Sequence, residues 1–237
     1  MNIALLGYGK MGKAIEKIAL ERGHQVVQKI GRGETLNPEG VDAAIDFSLP
    51  DAAVTNITSC LENGIPIVSG TTGWLDSYDQ MVALCNKKEG AFIYASNFSV
   101  GVNLFFELNK KLARLMNSQE DYHIGLEEIH HTQKLDAPSG TAITVAEDVV
   151  ENSHYAKWEL NETPTQAFSN AYVPIQAVRE GKVPGTHTVT YKSTIDTITI
   201  SHEAHSRQGF ALGAVVAAEW LAGKKGVFSM RDVLNLS

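Results

Sequence analysis

Short apolar runs alternate with amphipathic stretches through residues 1–99. An apolar run of four to seven residues predicts a buried strand, and apolar residues that recur every three or four positions predict a helix. The predicted strands cover residues 2–6, 25–30, 41–47, 66–69 and 91–95, and the predicted helices cover residues 13–22, 51–63 and 77–88. Strands that alternate with helices are typical of a parallel sheet, so this part of the chain is predicted to be a Rossmann-like α/β domain.

The pattern changes near residue 100. A long helix is predicted over residues 102–116 and a short Ala/Val-rich helix over 142–150, while β-branched or alternating segments predict strands over residues 122–129, 172–180, 186–191 and 197–202. Residues 153–170 are polar and weakly patterned, and we predict a loop there. The second domain is therefore predicted to be α+β with a mixed sheet.

The last part of the chain is predicted to return to the first domain. Residues 207–222 have a helical pattern that Gly223 ends, and the tail over 226–234 is expected to follow the helix back. We therefore assign residues 1–99 and 207–237 to a first domain, and residues 100–206 to a second domain.

A glycine-rich turn links the first predicted strand to the first predicted helix. In the GxGxxG spacing, Gly7 permits a tight bend, Gly9 lets a pyrophosphate approach the backbone, and Gly12 lets helix and strand pack closely. A purely structural turn is the alternative, but a position between a strand and a helix is the context in which this spacing binds a dinucleotide. The predicted cofactor contacts here are Gly7, Tyr8, Gly9, Lys10, Met11 and Gly12.

The end of the second predicted strand bears on the choice between NADH and NADPH. Dehydrogenases that use NAD tend to place an acid there for the ribose hydroxyls, but the first acid in this chain is Glu34. Lys29 and Arg32 are instead placed to meet the 2′-phosphate of NADP, unless both are solvated loop charges. We predict NADPH as cofactor, or the use of both NADPH and NADH.

Two further predicted strands end in residues suited to a ligand crevice. In an open parallel sheet the crevice lies at the carboxyl ends of the strands, and Phe47 follows the third predicted strand there. The small residues Gly70, Thr71 and Thr72 follow the fourth, where a loop can pass close to the cofactor. An ordinary turn between strand and helix is the alternative for this loop.

The stretch with the most chemistry covers residues 127–142 and reads EEIHHTQKLDAPSGTA. Its Ser-Gly-Thr segment precedes a predicted helix, whose first amides and positive dipole end can bind a carboxylate or a phosphate. His130, His131 and Lys134 add positive charge and exchangeable protons beside it. Each piece alone is common in turns and at strand ends. The combination predicts a site that holds an anion and delivers a proton.

A metal site on the two histidines is another interpretation of the same stretch. Neighbouring side chains on a strand point to opposite faces, so His130 and His131 do not readily share one ion. We therefore predict no metal.

Composition and charge limit the partners of this site. The chain has 237 residues, a hydrophobic content of 43% and a formal net charge of −7, which argues against nucleic acid as a partner and requires a local basic pocket for an anionic substrate. No apolar run approaches the roughly 18 residues of a membrane span, and no signal-peptide pattern begins the sequence. Cys60 and Cys85 fall among apolar neighbours, so we expect no disulfide and a cytoplasmic location.

EEIHHTQKLDAPSGTA resembles the signature of the 4-hydroxy-tetrahydrodipicolinate reductase (dihydrodipicolinate reductase) family, the NAD(P)H enzymes of bacterial lysine and diaminopimelate synthesis. Similar stretches recur along nearly the whole chain: GTTG at 70–73, NFSVGVN at 97–103, SR at 206–207 and FSMRDVL from residue 228 to 234. The resemblance implies a nucleotide-binding first domain and a second domain that binds a small dicarboxylate substrate and forms a homotetramer through its sheet.

The resemblance also implies roles for individual residues. His130 is similar to the family's proton donor or acceptor and Lys134 to its proton donor, while His131, Gly140 and Thr141 are similar to the groups that bind the substrate carboxylates. Besides the glycine-rich turn, the implied cofactor contacts are Gly70, Thr71, Thr72, Ala95, Ser96, Asn97, Phe98 and Arg207. Arg207 is otherwise interpreted as a charge at a helix start.

The expected reaction is the reduction of (2S,4S)-4-hydroxy-2,3,4,5-tetrahydrodipicolinate to (S)-2,3,4,5-tetrahydrodipicolinate with loss of water. Two alternatives are another nicotinamide-dependent dehydrogenase of an anionic amino-acid precursor and a non-catalytic NAD(P)H-sensing protein. Neither of them needs residues 127–142. The chain departs from the family pattern in its plain GYGKMG turn and in Leu49, where an arginine often lies near the adenine. These departures leave the cofactor preference open.

Overall fold

The computed structural model describes residues 1–163 and 167–236. The strands, in chain order, are β1 (Asn2–Leu6), β2 (Gln25–Ile30), β3 (Ala43–Asp46), β4 (Ile67–Ser69), β5 (Ala91–Tyr94), β6 (His123–His130), β7 (Trp158–Asn161), β8 (Val173–Arg179), β9 (Gly185–Lys192), β10 (Thr197–Ala204) and β11 (Gly226–Phe228). The helices are α1 (Lys10–Glu21), α2 (Pro50–Glu62), α3 (Tyr78–Lys88), α4 (Val100–Met116), α5 (Gly140–Glu151), α6 (Gln208–Leu221) and α7 (Met230–Val233). Within the described residues, no helix is both long and apolar enough to cross a membrane.

The chain divides into two compact units, of which the first comprises Met1–Asn103 and Arg207–Ser237 and the second comprises Leu104–Ser206. The first unit is built on a parallel sheet with the strand order β11-β5-β4-β3-β1-β2. Along β1, Ile3 and Leu5 belong to the apolar core that includes α1 and α6, whereas the alternate residues face the core that includes α2 and α3. Helices cover both faces of this sheet, and the predicted Rossmann-like fold is confirmed.

The tail of the chain adds a strand to this sheet. β11 pairs in parallel with β5, from Gly226 opposite Ala91 to Phe228 opposite Ile93. We predicted the return of the tail from the sequence but not this strand, because three residues are too few to show a periodicity.

The second unit is built on a mixed sheet with the strand order β10-β9-β6-β8-β7. β6 pairs in parallel with β8 and antiparallel with β9. Val145 and Val149 of α5 pack with Leu126, Ile175 and Val189 of the sheet in one apolar core. The predicted α+β class with a mixed sheet is confirmed.

The loop predicted over residues 153–170 is wrong in part, because β7 lies inside it. Trp158 pairs with Val173 and Asn161 with Gln176 in a parallel ladder against β8. β7 is an edge strand with exposed central residues, so its stability comes from the ladder and not from an apolar pattern visible in the sequence. Residues 164–166 of the predicted loop lie outside the described residues.

Replacing Gly213 of α6 with alanine is expected to destabilise the first unit. The added Cβ would lie 1.7 Å from the carbonyl oxygen of Phe98, and this contact joins two backbone segments that are both buried. We expect the free energy of unfolding, measured by urea denaturation, to fall by at least about 2 kcal/mol.

Gly209→Ala in the same helix is the matched control for this change. Its Cβ would meet only the side chain of Ser99, with the hydroxyl at 3.3 Å and the Cβ at 3.9 Å, and the gain in helix propensity acts in the opposite direction. The control is therefore expected to keep its stability or to gain a little. An equal loss in both variants would contradict the role of the close approach at residue 213.

Candidate active site

The face of the second sheet that packs against α5 becomes polar where β6 ends. Leu126 belongs to the apolar core, and Glu128 and His130 follow on the same face at intervals of two residues. The sheet register places His187 of β9 opposite Glu128, and Arg179 of β8 opposite His130. Side chains that are distant in the sequence are thereby brought together at one end of the sheet.

Glu128 is the central member of this group and has an exposed fraction of 0%. Its carboxylate accepts hydrogen bonds from the Ser139 amide at 3.0 and 3.1 Å and from Nη2 of Arg179 at 2.9 Å. Burial by itself raises the pKa of Glu128, but the contacts with His130, Ser139 and Arg179 outweigh burial and lower the pKa to about 2. The carboxylate is therefore ionised near neutral pH.

His130 lies beside this carboxylate. Its Nδ1 is 3.3 Å from Oε2 of Glu128, which is an ion-pair distance, although the two atoms lack the alignment of a hydrogen bond. The centre of the His130 ring is 5.1 Å from that of His187. The ring also approaches the backbone at Gly185, where a Cβ would lie 2.9 Å from Nε2. A side chain at position 185 would therefore displace the imidazole.

His187 is buried in the same group, and its Nε2 lies 3.2 Å from the hydroxyl of Ser139. Burial lowers the pKa of His187 to about 4, with a further lowering by His130 that the Glu128 carboxylate partly offsets. The imidazole of His187 is thus neutral at pH 7, and its contact with Ser139 adds no charge to the group.

The N-terminus of α5 is joined to this group through Ser139. As the N-cap residue, Ser139 accepts a hydrogen bond from the Ala142 amide at 3.2 Å, and its own amide is held by Glu128. Gly140 and Thr141 are the first two residues of the helix, where amides point outward and the positive dipole end favours an anion. The helix end therefore has the chemistry of a carboxylate-binding site.

The loop between β6 and α5 carries the other residues predicted for substrate. Nζ of Lys134 lies 2.7 and 2.8 Å from the two carboxylate oxygens of Asp136. The amide of His131 donates to the carbonyl of Val183 at 2.8 Å, and its side chain is half-buried. Nη2 of Arg179 donates to the carbonyl of Asp136 at 2.6 Å, which ties this loop to β8.

Three members of the group received no role from the sequence: Glu128, Arg179 and His187. A signal existed for Glu128, because residues 128 and 130 of a strand share one face. For Arg179 and His187 there was no local signal, because only the pairing of β6 with β8 and β9 places them here.

The ligand atoms of Glu128, His130 and His187 lie within 4.8 Å of one another, which is close enough for a metal ion. Arg179 and the Ser139 amide already contact the carboxylate oxygens, however, and a guanidinium beside a cation would be repelled. These donors suit a hydrogen-bonded group better than a metal cage. The absence of a metal stays a prediction.

In the first unit, the glycine-rich turn connects β1 to α1. Gly7 has a φ of +92°, and a Cβ there would lie 2.2 Å from the carbonyl oxygen of Phe47, so only glycine fits. A Cβ at Gly12 would lie 2.4 Å from the carbonyl oxygen of Gly7. At Gly9, the N-cap position of α1, a Cβ would meet nothing within 4 Å. α1 begins at residue 10, three residues before its predicted start, so residues 10 and 11 lie in its first turn.

Two of the predicted cofactor contacts, Tyr8 and Lys29, are engaged with Glu16. The Tyr8 hydroxyl donates to the Glu16 carboxylate, and Nζ of Lys29 lies 2.5 Å from that carboxylate and 4.9 Å from the centre of the Tyr8 ring. The hydrogen bond between them raises the pKa of Lys29 and lowers that of Glu16. Because the charge of Lys29 is offset here, Arg32, exposed in the turn after β2, is the stronger candidate for a 2′-phosphate contact.

A buried carboxylate holds the loops that follow β3 and β4. Asp46 has an exposed fraction of 0% and accepts hydrogen bonds at 2.6–2.9 Å from the side chains of Ser48, Asn56, Ser69 and Thr71. The Thr71 hydroxyl also accepts the amide of Ser48 at 2.8 Å. The side chain of Thr71 is therefore turned into the protein.

The other predicted cofactor residues divide into buried and exposed side chains. The Phe47 ring covers Gly70, where a Cβ would lie 2.3 Å from it, and is centred 5.8 Å from the ring of Phe98. Phe98 is buried in the core, so its backbone is the part that can meet a ligand. The residues with exposed or half-buried side chains are Thr72, Ala95, Ser96, Asn97 and Arg207.

The doubly wound sheet with its glycine-rich turn is typical of one class of protein, the oxidoreductases that use a nicotinamide dinucleotide. Comparisons with known proteins identify the family. The family model "Dihydrodipicolinate reductase, N-terminus" matches residues 33–98, and "Dihydrodipicolinate reductase, C-terminus" matches residues 101–234.

Individual relatives agree with the family models. The chain is 57% identical over 239 residues to the 4-hydroxy-tetrahydrodipicolinate reductase of Christiangramia forsetii, with 99% of this chain and 98% of the relative covered. It is 36% identical over 196 residues to the enzyme of that name from Methanoregula boonei, with 82% and 75% covered. The dipicolinate-bound dihydrodipicolinate reductase of a Paenisporosarcina species shares the fold, with a TM-score of 0.78, 23% identity and coverage of 100% and 99%. The chain belongs to the dihydrodipicolinate reductase family, and the resemblance noted in its sequence is confirmed.

The lowered pKa of His187 predicts a loss of stability in mild acid. Between about pH 6.5 and pH 4 the unfolded chain binds a proton at this imidazole that the folded chain does not, so folding becomes less favourable as the pH falls. From pH 7 to pH 5 the site should lower the free energy of unfolding by about 2 kcal/mol. Urea denaturation of the protein and of His187→Gln at both pH values measures this contribution.

Between pH 7 and pH 5, His187→Gln should lose less stability than the unaltered protein, because glutamine does not titrate. His123→Gln, at the exposed first residue of β6, is the control and should behave as the unaltered protein. An identical pH dependence with and without His187 would contradict a buried neutral imidazole.

Proposed function

We propose that this protein catalyses the NAD(P)H-dependent reduction of (2S,4S)-4-hydroxy-2,3,4,5-tetrahydrodipicolinate to (S)-2,3,4,5-tetrahydrodipicolinate, with loss of water, in lysine and diaminopimelate biosynthesis. The observation that carries the proposal is the convergence of an imidazole, an ammonium and a helix N-terminus within residues 130–141, on a chain 57% identical to a reductase of this name. This combination suits a substrate with two carboxylates that must also receive a proton.

In the proposed reaction, hydride passes from the dihydronicotinamide to a substrate carbon, the hydroxyl leaves as water, and one proton is consumed. His130 is the proposed proton donor, because an imidazole is the side chain that most often transfers protons at neutral pH. Lys134 is a second donor and a counter-charge for a carboxylate. His131 and the amides of Gly140 and Thr141 are the proposed contacts of the substrate carboxylates.

The two units are proposed to divide the ligands between them. The first unit, with its glycine-rich turn and strand ends, suits the dinucleotide, and the second suits the dicarboxylate. We also propose a homotetramer formed through the second sheet, and two observations support it. β10 is an edge strand whose residues are mostly exposed, and the turn before it exposes Ile195 to 89%.

A different nicotinamide-dependent dehydrogenase and a non-catalytic NAD(P)H sensor are the alternative functions. A paired assay with NADH and NADPH, using the freshly generated hydroxy-tetrahydrodipicolinate, separates the three. The proposed reductase oxidises the cofactor only when that intermediate is supplied. A sensor binds the cofactor without turnover, and another dehydrogenase requires another substrate.

Replacing His130 with glutamine is expected to lower kcat by roughly 10²- to 10⁴-fold while KM changes little, because a positioned acid acts mainly in the transition state. Lys134→Ala should lower kcat and raise KM together, since the ammonium is proposed to contact the bound substrate as well. Steady-state assays at saturating cofactor measure both constants. His123→Gln is the matched control on the same strand. Near-normal turnover of His130→Gln at saturating substrate would exclude His130 as the proton donor.

Replacing Arg32 with alanine is expected to raise KM for NADPH by roughly five- to tenfold, because an exposed contact between a guanidinium and the 2′-phosphate would be lost. KM for NADH should stay within about twofold, because NADH has no such phosphate. The NADH constants serve as the internal control. An equal rise in KM for NADPH and NADH would show that Arg32 does not contact the 2′-phosphate.

A further inference from the structure

The Glu128 carboxylate connects parts of the second unit that the proposed reaction needs together. Fully buried acids are rare unless they are paired, because loss of hydration disfavours the charged form. Here the hydrogen bonds come from Arg179 on β8 and from the Ser139 amide at the start of α5, and the His130 ring of β6 itself lies at ion-pair distance. Retaining an ionised acid at such a position points to a role beyond filling the core.

The contact with His130 constrains where the imidazole carries its proton. Nδ1 of His130 is fully buried and has no hydrogen-bond partner among the described residues, and the nearest carboxylate oxygen of Glu128 is 3.3 Å away. An unprotonated Nδ1 would place its lone pair beside that negatively charged oxygen, and the two would repel each other. The N–H of a protonated Nδ1 is instead attracted to the oxygen. The stable neutral tautomer beside Glu128 is therefore the one with the proton on Nδ1. This leaves Nε2 to exchange a proton with substrate.

The same carboxylate fixes the helix end that is proposed to hold substrate. Both oxygens of Glu128 lie within 3.1 Å of the Ser139 amide nitrogen, and Ser139 immediately precedes Gly140. A displacement of the carboxylate would therefore move the imidazole and the anion-binding amides together.

We propose that Glu128 is a positioning residue for the reaction: it holds the proton of His130 on Nδ1 and sets the imidazole against the N-terminus of α5. The proposal rests on the proposed function for the role of His130. The contacts alone connect Glu128 to the imidazole that is proposed to transfer the proton.

Loss of the carboxylate should also change the pH dependence of turnover. The charged or titratable groups around His130 are Glu128 on its own strand, Arg179 on β8, His187 on β9 and Lys134 in the following loop. Glu128 is the negative group at ion-pair distance from the ring, whereas Asp136 of the following loop is paired with Lys134. Without Glu128 the positive charge of a protonated ring loses its negative neighbour, so the pH at which turnover falls on the alkaline side should move down.

The first test is a ¹⁵N NMR measurement of the histidine imidazoles in the unaltered protein above pH 8, with the His130 signals assigned by their loss in His130→Gln. Neutral His130 is expected to be protonated on Nδ1. Predominant protonation on Nε2 would overturn the proposal. This readout needs no turnover, so it stands apart from the proposed function: an inactive protein with the Nδ1 tautomer contradicts only the function.

The second test compares kinetics of Glu128→Gln and Glu128→Asp with those of Glu127→Gln, a neighbour that points to the opposite face of β6. Glu128→Gln should lower kcat at least about tenfold and shift the alkaline limb of the pH profile downward. Glu128→Asp should keep the position of that limb, because the charge is retained, while kcat stays low. Glu127→Gln should match the unaltered protein.

If Glu128→Gln folds and the alkaline limb of its pH profile of turnover is not shifted, the proposal is wrong. If Glu128→Gln does not fold, the aspartate variant and the NMR measurement decide. An alkaline limb displaced in Glu128→Asp as far as expected for loss of charge would then count against the proposal, as would an Nε2 tautomer in the unaltered protein.

Discussion

An ionised carboxylate without exposed surface is the constraint on which the second unit depends. Glu128 takes the position on β6 that follows the apolar core residue Leu126, and burying its charge there is stable only if donors surround it. Arg179 and the Ser139 amide meet that requirement, and in doing so they fix the end of β8 and the start of α5. The geometry of the proposed site is thus a consequence of satisfying one buried charge.

Among the described residues of the first unit, the buried acid Asp46 is stabilised by neutral donors and not by a basic side chain. Asp46 receives its hydrogen bonds from hydroxyl and amide groups at the ends of β3 and β4 and on α2, all between 2.6 and 2.9 Å. Neutral donors stabilise the carboxylate while leaving the adjoining loops without added charge. These loops carry the small residues proposed to approach a dinucleotide, and the hydrogen bonds to Asp46 hold the loops in position. In both units a buried acid at a strand end determines the shape of a loop that is proposed to bind a ligand.

The sequence predicted the elements whose pattern is local. The apolar run of β1 and the glycines of the turn each depend on a few consecutive residues, and each lies where it was expected. The start of α5 was predicted less well, because the helix begins at Gly140, two residues before its predicted start. What the sequence could not predict depends on pairing between distant segments. β7 exists because β8 lies beside it, and His187 faces Glu128 because β9 pairs antiparallel with β6 in one particular register. Lys29 shows the same limit, since its contact with Glu16 of α1 is invisible in its own strand.

Local charge explains how an acidic chain can hold an acidic substrate. Lys134 is paired with Asp136, whose side chain is 61% exposed. An exposed ion pair of this kind contributes only about 0–1 kcal/mol, so exchanging the Asp136 carboxylate for one from the substrate costs little. A single such exchange gives equally little selectivity, because one carboxylate replaces another. Discrimination in favour of a dianion must therefore come from the second carboxylate, which is proposed to meet the amides at the start of α5, where contacts of Ser139 with Glu128 and Ala142 hold the helix end.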